Sequence, residues 1–162
     1  MQLNVFRTLW GVTTPWQQTV SELQSVGCCG IEARLPLTTE EQRTLARRLE
    51  ASALQYIAIV FSGGGVIPAQ AETPAQHLER LKERFAAAKA LNPRFVNLLA
   101  GNDRWPLAQQ VDFLGRAHEL AAEYELLCSF ETHRATSLYS PWLTLEIIQQ
   151  LPQLRFTADI SH

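Results

Sequence analysis

The sequence predicts an incomplete (β/α)8 barrel, with about six parallel strands and five helices in a single domain over residues 1–162. Short runs rich in β-branched and aromatic residues alternate with amphipathic helical stretches along the whole chain. This alternation is typical of a parallel sheet covered by helices. Polar residues recur on one side of several strands, which favours a barrel with a site at one end.

The elements follow one another at regular intervals. The strand-like runs are residues 5–10, 31–35, 56–61, 95–100, 126–130 and 155–160. Helix starts are indicated by a capping residue followed by proline, or by Glu or Gln three positions later. These starts are Thr14-Pro15, Thr38-Thr39, Thr73-Pro74 and Ser140-Pro141.

The alternative to a barrel is an open, doubly wound sheet. Strands of such a sheet are apolar on both faces because helices cover both of them. Here Glu32 and Arg34 share one side of a strand, and Ser129 and Glu131 share one side of another. The first strand–helix turn also lacks the glycine pattern of a dinucleotide-binding fold. Both features favour the barrel.

A complete barrel of this type has eight strands and roughly 250 residues. The 162 residues supply six strands, so we expect a barrel domain truncated after its sixth strand. Its first and last strands would then be open edges, through which we expect self-association into homo-oligomers.

Composition excludes several classes of protein. The net charge is −2 and the basic residues are scattered, so no nucleic-acid partner is expected. No apolar run is long enough to span a membrane, and the N-terminus has no basic export signal. The three cysteines show no metal-binding spacing. We therefore expect a cytoplasmic protein.

Two carboxylates end successive strands. Glu131 closes the fifth strand and Asp159 lies at the end of the sixth. Neighbouring parallel strands lie ~5 Å apart, so both side chains can reach one cation. Oxygen and imidazole ligands suit Mn²⁺, Mg²⁺ or Co²⁺, and the absence of thiolate makes Zn²⁺ less favoured. The alternative is a structural Glu131 that pairs with Arg134.

Further polar and aromatic residues are candidates for substrate contact at the same ends of the strands. They are Trp10, Asn97, His133, Arg134 and His162, with Asn102, Asp103 and Trp105 as additional candidates. His77 and His118 fall within helices, where we expect surface positions. The Ser62-Gly63-Gly64-Gly65 segment is expected to form a mobile loop over the strand ends.

Three motifs together resemble the sugar phosphate isomerase/epimerase family, a family with a xylose isomerase-like TIM barrel. They are Glu131-Thr132-His133-Arg134, Ser140-Pro141-Trp142 and Asp159-Ile160-Ser161-His162. The resemblance implies a divalent metal held by Glu131 and Asp159, and a substrate-side role for His162. It also implies proton transfer next to the carbonyl of a sugar or sugar phosphate, with carboxylates such as Glu131 as bases.

The family completes its site with a histidine on strand seven and a glutamate on strand eight. Neither strand is among these residues, so a non-catalytic partial barrel that needs another chain is a competing hypothesis. An inosose dehydratase-like lyase is the alternative enzyme. A DNA-repair nuclease family shares Asp-x-x-His, but it needs further histidines where this chain has Leu35-Pro36 and Phe61-Ser62.

Overall fold

The computed structural model describes residues 3–162, and these form an incomplete (β/α) TIM barrel, as the sequence predicts. Six parallel strands lie side by side in chain order. The strands are β1 (Phe6–Thr8), β2 (Gly30–Arg34), β3 (Gln55–Phe61), β4 (Phe95–Leu99), β5 (Cys128–Glu131) and β6 (Phe156–Thr157). The helices are α1 (Trp16–Ser25), α2 (Thr39–Ser52), α3 (Pro74–Leu91), α4 (Leu107–Glu123) and α5 (Pro141–Gln150). No helix in this part of the chain is long and apolar enough to cross a membrane.

The two outer strands are shorter than the sequence suggests. β1 has three residues and β6 has two, and each pairs with one neighbour only. A strand that is paired on one side gains fewer hydrogen bonds, so its ends leave the ladder early. Asp159 consequently lies beyond β6, in a turn that His162 N closes onto Asp159 O at 3.4 Å.

Alternating side chains give the sheet two different faces. The outer face is apolar and packs against the helices, where Val60, Leu98 and Phe130 meet Phe85 and Phe113 in the main core. The inner face carries polar side chains near the ends of the strands, with Asn97 bonded to both Glu32 and Glu131. The alternation therefore separates a stabilising core from a polar interior.

The helix caps confirm the sequence interpretation in part. Thr38 and Thr73 both form complete capping boxes, with Glu41 and Gln76 respectively. The capping role expected of Thr14 is absent, because α1 begins one residue later, after Pro15. The Thr14 hydroxyl instead bonds the Thr19 hydroxyl at 2.9 Å.

Gly101 lies two residues after the end of β4 and allows a close approach between two loops. Its φ is +77°, and a Cβ there would lie 2.0 Å from Ser137 Oγ. We expect Gly101→Ala to lower the free energy of unfolding by roughly 2 kcal/mol or more, measured by urea denaturation. Gly65→Ala is the matched control, since its Cβ would meet only Ile67 O at 3.8 Å. Equal losses in the two variants would contradict this packing argument.

Candidate active site at the carboxyl ends of the strands

A pocket of about 660 Å³ opens at the carboxyl ends of the strands. Six of the residues singled out from the sequence line it, namely Trp10, Glu131, His133, Arg134, Asp159 and His162. Glu32 on β2 also lines it, together with Val66 and Ile67 from the loop after β3. The sequence predicts that Glu32 shares the polar side of its strand. It does not predict that Glu32 approaches Glu131, which lies on a strand separated from β2 by two others.

Asn97 lies behind the carboxylates rather than on the pocket wall. Its side-chain nitrogen donates to Glu131 Oε2 at 2.6 Å and to Glu32 Oε1 at 3.0 Å, and the residue is 2% exposed. One amide thus holds two carboxylates from β2 and β5 in a single layer. In this structure Asn97 positions acidic groups.

The Glu131 carboxyl group is in an environment that disfavours its charge. Burial is the main cause, and it raises the pKa from the ordinary 4.5 to about 7. The hydrogen bond from Asn97 opposes this shift, whereas the negative charges of Asp159 and Glu32 add to it. Near neutral pH, Glu131 can therefore both accept and release a proton.

Asp159 has the opposite tendency. Its Oδ1 accepts hydrogen bonds from Ser161 N at 2.8 Å and from Ser161 Oγ at 2.7 Å. These two bonds lower the pKa of Asp159 below its usual range, so the group stays ionised. Two carboxyl groups in one pocket with pKa values shifted in opposite directions are the pattern of a divided acid–base role.

Two histidines complete this side of the pocket. The His133 and His162 rings meet edge to face, with centroids 4.0 Å apart, and His162 Nε2 lies 3.6 Å from Asp159 Oδ2. His133 Nδ1 is 2.8 Å from Arg134 O, and a carbonyl only accepts, so Nδ1 carries the proton. Burial lowers the pKa of His133, so the ring is neutral and Nε2 presents a lone pair to a ligand.

The carboxylates of Glu131 and Asp159 are the type of ligand that a hard divalent cation prefers, but they are only two of the ligands such an ion needs. The negative charges of Asp159 and Glu32 repel that of Glu131, and a bound cation would offset this repulsion. Carboxylate oxygens are also the ligands that Mg²⁺ and Mn²⁺ prefer. Among residues 3–162, however, no three His, Cys, Asp or Glu side chains converge closely enough to hold an ion. Glu131 and Asp159 therefore fit as two ligands of a site completed by other oxygens.

The expectation that His77 lies on the surface is wrong. This residue is fully buried, and its Nδ1 lies 2.8 Å from Ser62 Oγ, which itself accepts a hydrogen bond from Gly101 N at 2.8 Å. On the other side, His77 Nε2 is 2.9 Å from Glu72 Oε2 at a poor hydrogen-bond angle. A small rotation of either side chain at this distance aligns the bond.

The contacts run from Ser62 to His77 to Glu72, which is the order of side chains in a hydrolytic triad. The arrangement cannot act as such a triad. Ser62 is fully buried, so no substrate reaches its hydroxyl. Burial lowers the pKa of His77, which leaves the ring neutral and able to donate from one nitrogen while accepting at the other. The chain of bonds is a structural link between β3, β4 and α3.

The same link anchors the glycine loop that we expected to be mobile. Glu72 accepts hydrogen bonds from Gly64 N and from Arg80, and Arg84 donates to the carbonyls of Phe61 and Gly63. Burial disfavours a charged Glu72, but these partners outweigh it and lower the pKa of Glu72. Charged groups therefore hold both sides of the loop, close to the pocket residues Val66 and Ile67.

Asn102 and Trp105 serve the same loop instead of the pocket. Asn102 Nδ2 donates to Ala69 O at 3.1 Å, and Trp105 Nε1 donates to Glu72 O at 2.9 Å. Trp105 is buried, and its ring contacts the His77 ring edge to face at 4.8 Å. Asp103 and the half-buried His118 lie outside the lining of the pocket.

The chain belongs to the xylose isomerase-like TIM barrel family, whose model matches residues 20–162. Curated protein sequences gave no match. Solved structures are similar in fold, including a D-allulose 3-epimerase from Methylomonas sp. in complex with D-allulose, at a TM-score of 0.70 and 14% identity. That alignment covers 97% of this chain and 62% of the epimerase.

Two further structures have similar folds. A probable 3-DHS dehydratase, AsbF, involved in petrobactin synthesis in Bacillus anthracis has a TM-score of 0.69 and 15% identity, over 97% of this chain and 62% of its own. A sugar phosphate isomerase/epimerase from Parabacteroides distasonis has a TM-score of 0.69 and 9% identity, over 98% and 65%. At these identities the likeness shows the fold, and this chain spans less than two thirds of each structure.

The raised pKa of Glu131 predicts a pH-dependent stability. Protonation of Glu131 favours the folded state fully below about pH 4.5, and this contribution is lost as the pH rises through about 7. Glu131→Gln mimics the protonated form. Without metal, we expect it to stabilise the protein at pH 8 by about 1 kcal/mol, after discounting for partial exposure, and to have little effect at pH 4.5. Thermal melts at the two pH values measure this. A gain of the same size at both would contradict the assignment.

The anchored loop predicts a local change in hydrogen exchange. Glu72→Gln removes the charge that binds Gly64 N and Arg80, so we expect residues 63–67 to exchange faster and stability to fall by roughly 1–3 kcal/mol. Glu79→Gln on the exposed face of α3 is the control, because the Glu79 carboxylate pairs with the exposed Lys82 at 2.6 Å and is far from the loop in the chain. Unchanged exchange in the Glu72 variant would show that other contacts hold the loop.

Proposed function

We propose that this pocket is part of the active site of a divalent-metal-assisted sugar isomerase or epimerase, which moves a proton next to a sugar carbonyl. The observation that carries the proposal is the pairing of Glu131 and Asp159 in one pocket with pKa values shifted in opposite directions. Because the chain spans under two thirds of the similar structures, the proposal concerns the protein in which this barrel is complete.

Glu131 is the proposed base. In the metal-free protein its raised pKa of about 7 means that the group gains and loses a proton near neutral pH, as a base that returns its proton must. The hydrogen bond from Asn97 to Oε2 orients the carboxylate, and Oε1 makes no hydrogen bond to a described residue, so it remains available to a ligand. A base that is held by a buried amide loses little freedom when the substrate binds.

Asp159 is the proposed partner of Glu131 in holding Mn²⁺, Mg²⁺ or Co²⁺. Its Oδ1 accepts both hydrogen bonds from Ser161, whereas Oδ2 lies 3.6 Å from His162 Nε2 and makes no hydrogen bond to a described residue, so one oxygen remains for a cation. A bound divalent ion would polarise the carbonyl oxygen and so acidify the neighbouring C–H bond.

The remaining residues form the proposed substrate side. His162 and His133 offer ring nitrogens to sugar hydroxyls, and Trp10, which is 52% exposed, offers a ring face for a sugar to stack on. Arg134 is exposed at the rim and can bind an oxygen of the substrate. A fold neighbour that binds D-allulose supports a sugar as the substrate class.

A cytoplasmic location fits the state of the cysteines. Cys28, Cys29 and Cys128 are all free thiols. Free thiols are usual in a reducing compartment. This is the basis on which we propose the cytoplasm.

A second candidate function is a partial barrel that associates with another chain. Among the described residues, β1 and β6 each pair on one side only, and α5 exposes Trp142 (79%) and Leu145 (50%) to solvent. Unpaired strands and apolar helix faces favour association. Light scattering on the purified chain tests this candidate, because it measures the molar mass in solution. The mass of a monomer would count against it.

A cation-binding experiment tests the first candidate. At a Mn²⁺ concentration 100 times the Kd, we expect the free energy of unfolding to rise by about 2.7 kcal/mol and the melting temperature to rise with it. Glu131→Gln and Asp159→Asn should each abolish most of this shift, while Asp112→Asn, an exposed carboxylate on α4, should keep it. An unchanged shift in both pocket variants would show that neither residue is a ligand.

A further inference from the structure

Trp10 is shared by two neighbouring pockets. It lines the pocket that contains Glu131, and it also lines a smaller pocket of about 410 Å³ together with Arg34. Arg34 is not part of the wall of the larger pocket, so its guanidinium approaches the indole from the side of the smaller one. The Trp10 ring therefore stands between Arg34 and the proposed sugar site.

The guanidinium of Arg34 stacks on two aromatic rings. Its central carbon lies 3.9 Å from the centroid of the Trp10 ring and 5.4 Å from that of Phe61. At 3.9 Å a planar guanidinium covers one face of an indole and leaves the opposite face open to a ligand. Arg34 ends β2 and Phe61 ends β3, so the stack ties the loop after β1 to the next two strands.

Trp10 is otherwise weakly held. It follows the three-residue strand β1, it is 52% exposed, and its backbone nitrogen donates to Thr8 Oγ1 at 3.3 Å. An exposed side chain in such a segment samples several rotamers. Arg34 belongs to a strand that is paired on both sides, so it supplies a firm support that the Trp10 loop lacks.

No ion pair draws Arg34 away from this stack. Among residues 3–162, no carboxylate lies within 4.0 Å of its guanidinium, in contrast to those of Arg7, Arg80, Arg104 and Arg116. An arginine that pairs with a carboxylate takes its geometry from that partner. The position of the Arg34 guanidinium is set by the aromatic rings.

We propose that Arg34 is a positioning residue for the sugar site, which it serves from outside by holding the Trp10 ring as one wall of the pocket. This inference rests on the proposed function, in which Trp10 offers a ring face to a sugar. Stacking at an exposed site favours the contacting arrangement about twofold to fivefold. The apparent affinity of a ligand falls with the population of the arrangement that it needs, so loss of Arg34 weakens binding by up to that factor.

Fluorine NMR of the chain labelled with 5-fluorotryptophan tests the support directly. The chain has four tryptophans, and the Trp10 resonance is the one that disappears in Trp10→Phe. We expect Arg34→Gln to move this resonance towards that of free 5-fluorotryptophan. Arg34→Lys should move it less, because lysine keeps the charge but loses the planar stack. The remaining resonances should stay in place, which shows that the variants are folded.

A second stack in the same chain is the matched control. The Arg48 guanidinium lies 5.5 Å from the centroid of the Trp16 ring, and neither residue lines either pocket. Arg48→Gln should move the Trp16 resonance and leave that of Trp10 unchanged. An unmoved Trp10 resonance in Arg34→Gln would show that Arg34 does not hold the ring, and the proposal would be wrong.

A double-mutant cycle separates support of the ring from direct contact with the ligand. With D-fructose as the probe and Mg²⁺ present, calorimetric titration should give an affinity about threefold lower for Arg34→Gln than for the parent chain. In a Trp10→Ala background the same substitution should change nothing, because the side chain through which Arg34 acts is gone. Arg48→Gln should bind D-fructose as the parent does.

Three results of this titration would overturn the proposal. They are an equal loss of affinity with and without Trp10, which would make Arg34 a direct contact, an unchanged affinity in Arg34→Gln, and no binding of D-fructose by the parent chain. The proposed function has its own test in the Mn²⁺ response through Glu131 and Asp159. If that response is kept, such a result overturns the role of Arg34 alone, and if it is lost, both proposals are overturned.

Discussion

The parallel register of the six strands is the constraint on which the site depends. All the strands run in one direction, so their carboxyl ends meet at one end of the barrel, and the inward residues there face one space. Glu32 and Glu131 lie on strands separated by two others, yet Asn97 on β4 bonds both of them. The strand register thus brings the carboxylates of Glu32 and Glu131 into one layer. The amide that joins them is neutral, so it does not offset their charge.

This crowding explains why Glu131 differs from Asp159. Glu131 is half-buried beside two other carboxylates, which disfavours its charge, whereas Asp159 lies in a turn where Ser161 supplies two hydrogen-bond donors. The difference follows from where each residue lies on the backbone. Glu131 is the last residue of β5, whereas Asp159 lies in the turn after the two-residue strand β6. An acid–base pair arises from two identical functional groups in different local structures.

The sequence predicted the parts of this arrangement that depend on local pattern. Strand–helix alternation predicted the partial barrel, and the capping boxes at Thr38 and Thr73 were correct in detail. His77 was misjudged, because helical periodicity does not reveal that its ring meets Ser62, just after β3, and Glu72 from a loop. The early end of β6 also escaped prediction, since strand length at an edge depends on pairing that only the fold determines.

The loops around the pocket differ in how firmly they are held. Those after β3, β4 and β5 are joined by hydrogen bonds from Gly101 N to Ser62 Oγ and from Ser137 N to Ala100 O. Trp10 and the segment after β6 are held by less buried bonds, from Trp10 N to Thr8 Oγ1 at 3.3 Å and from Asp159 N to Thr132 Oγ1 at 3.0 Å. Local opening concentrates where buried bonds are few. Ligand binding should therefore reorganise the side of Trp10, Asp159 and His162, while Glu131 keeps its place on the firm side.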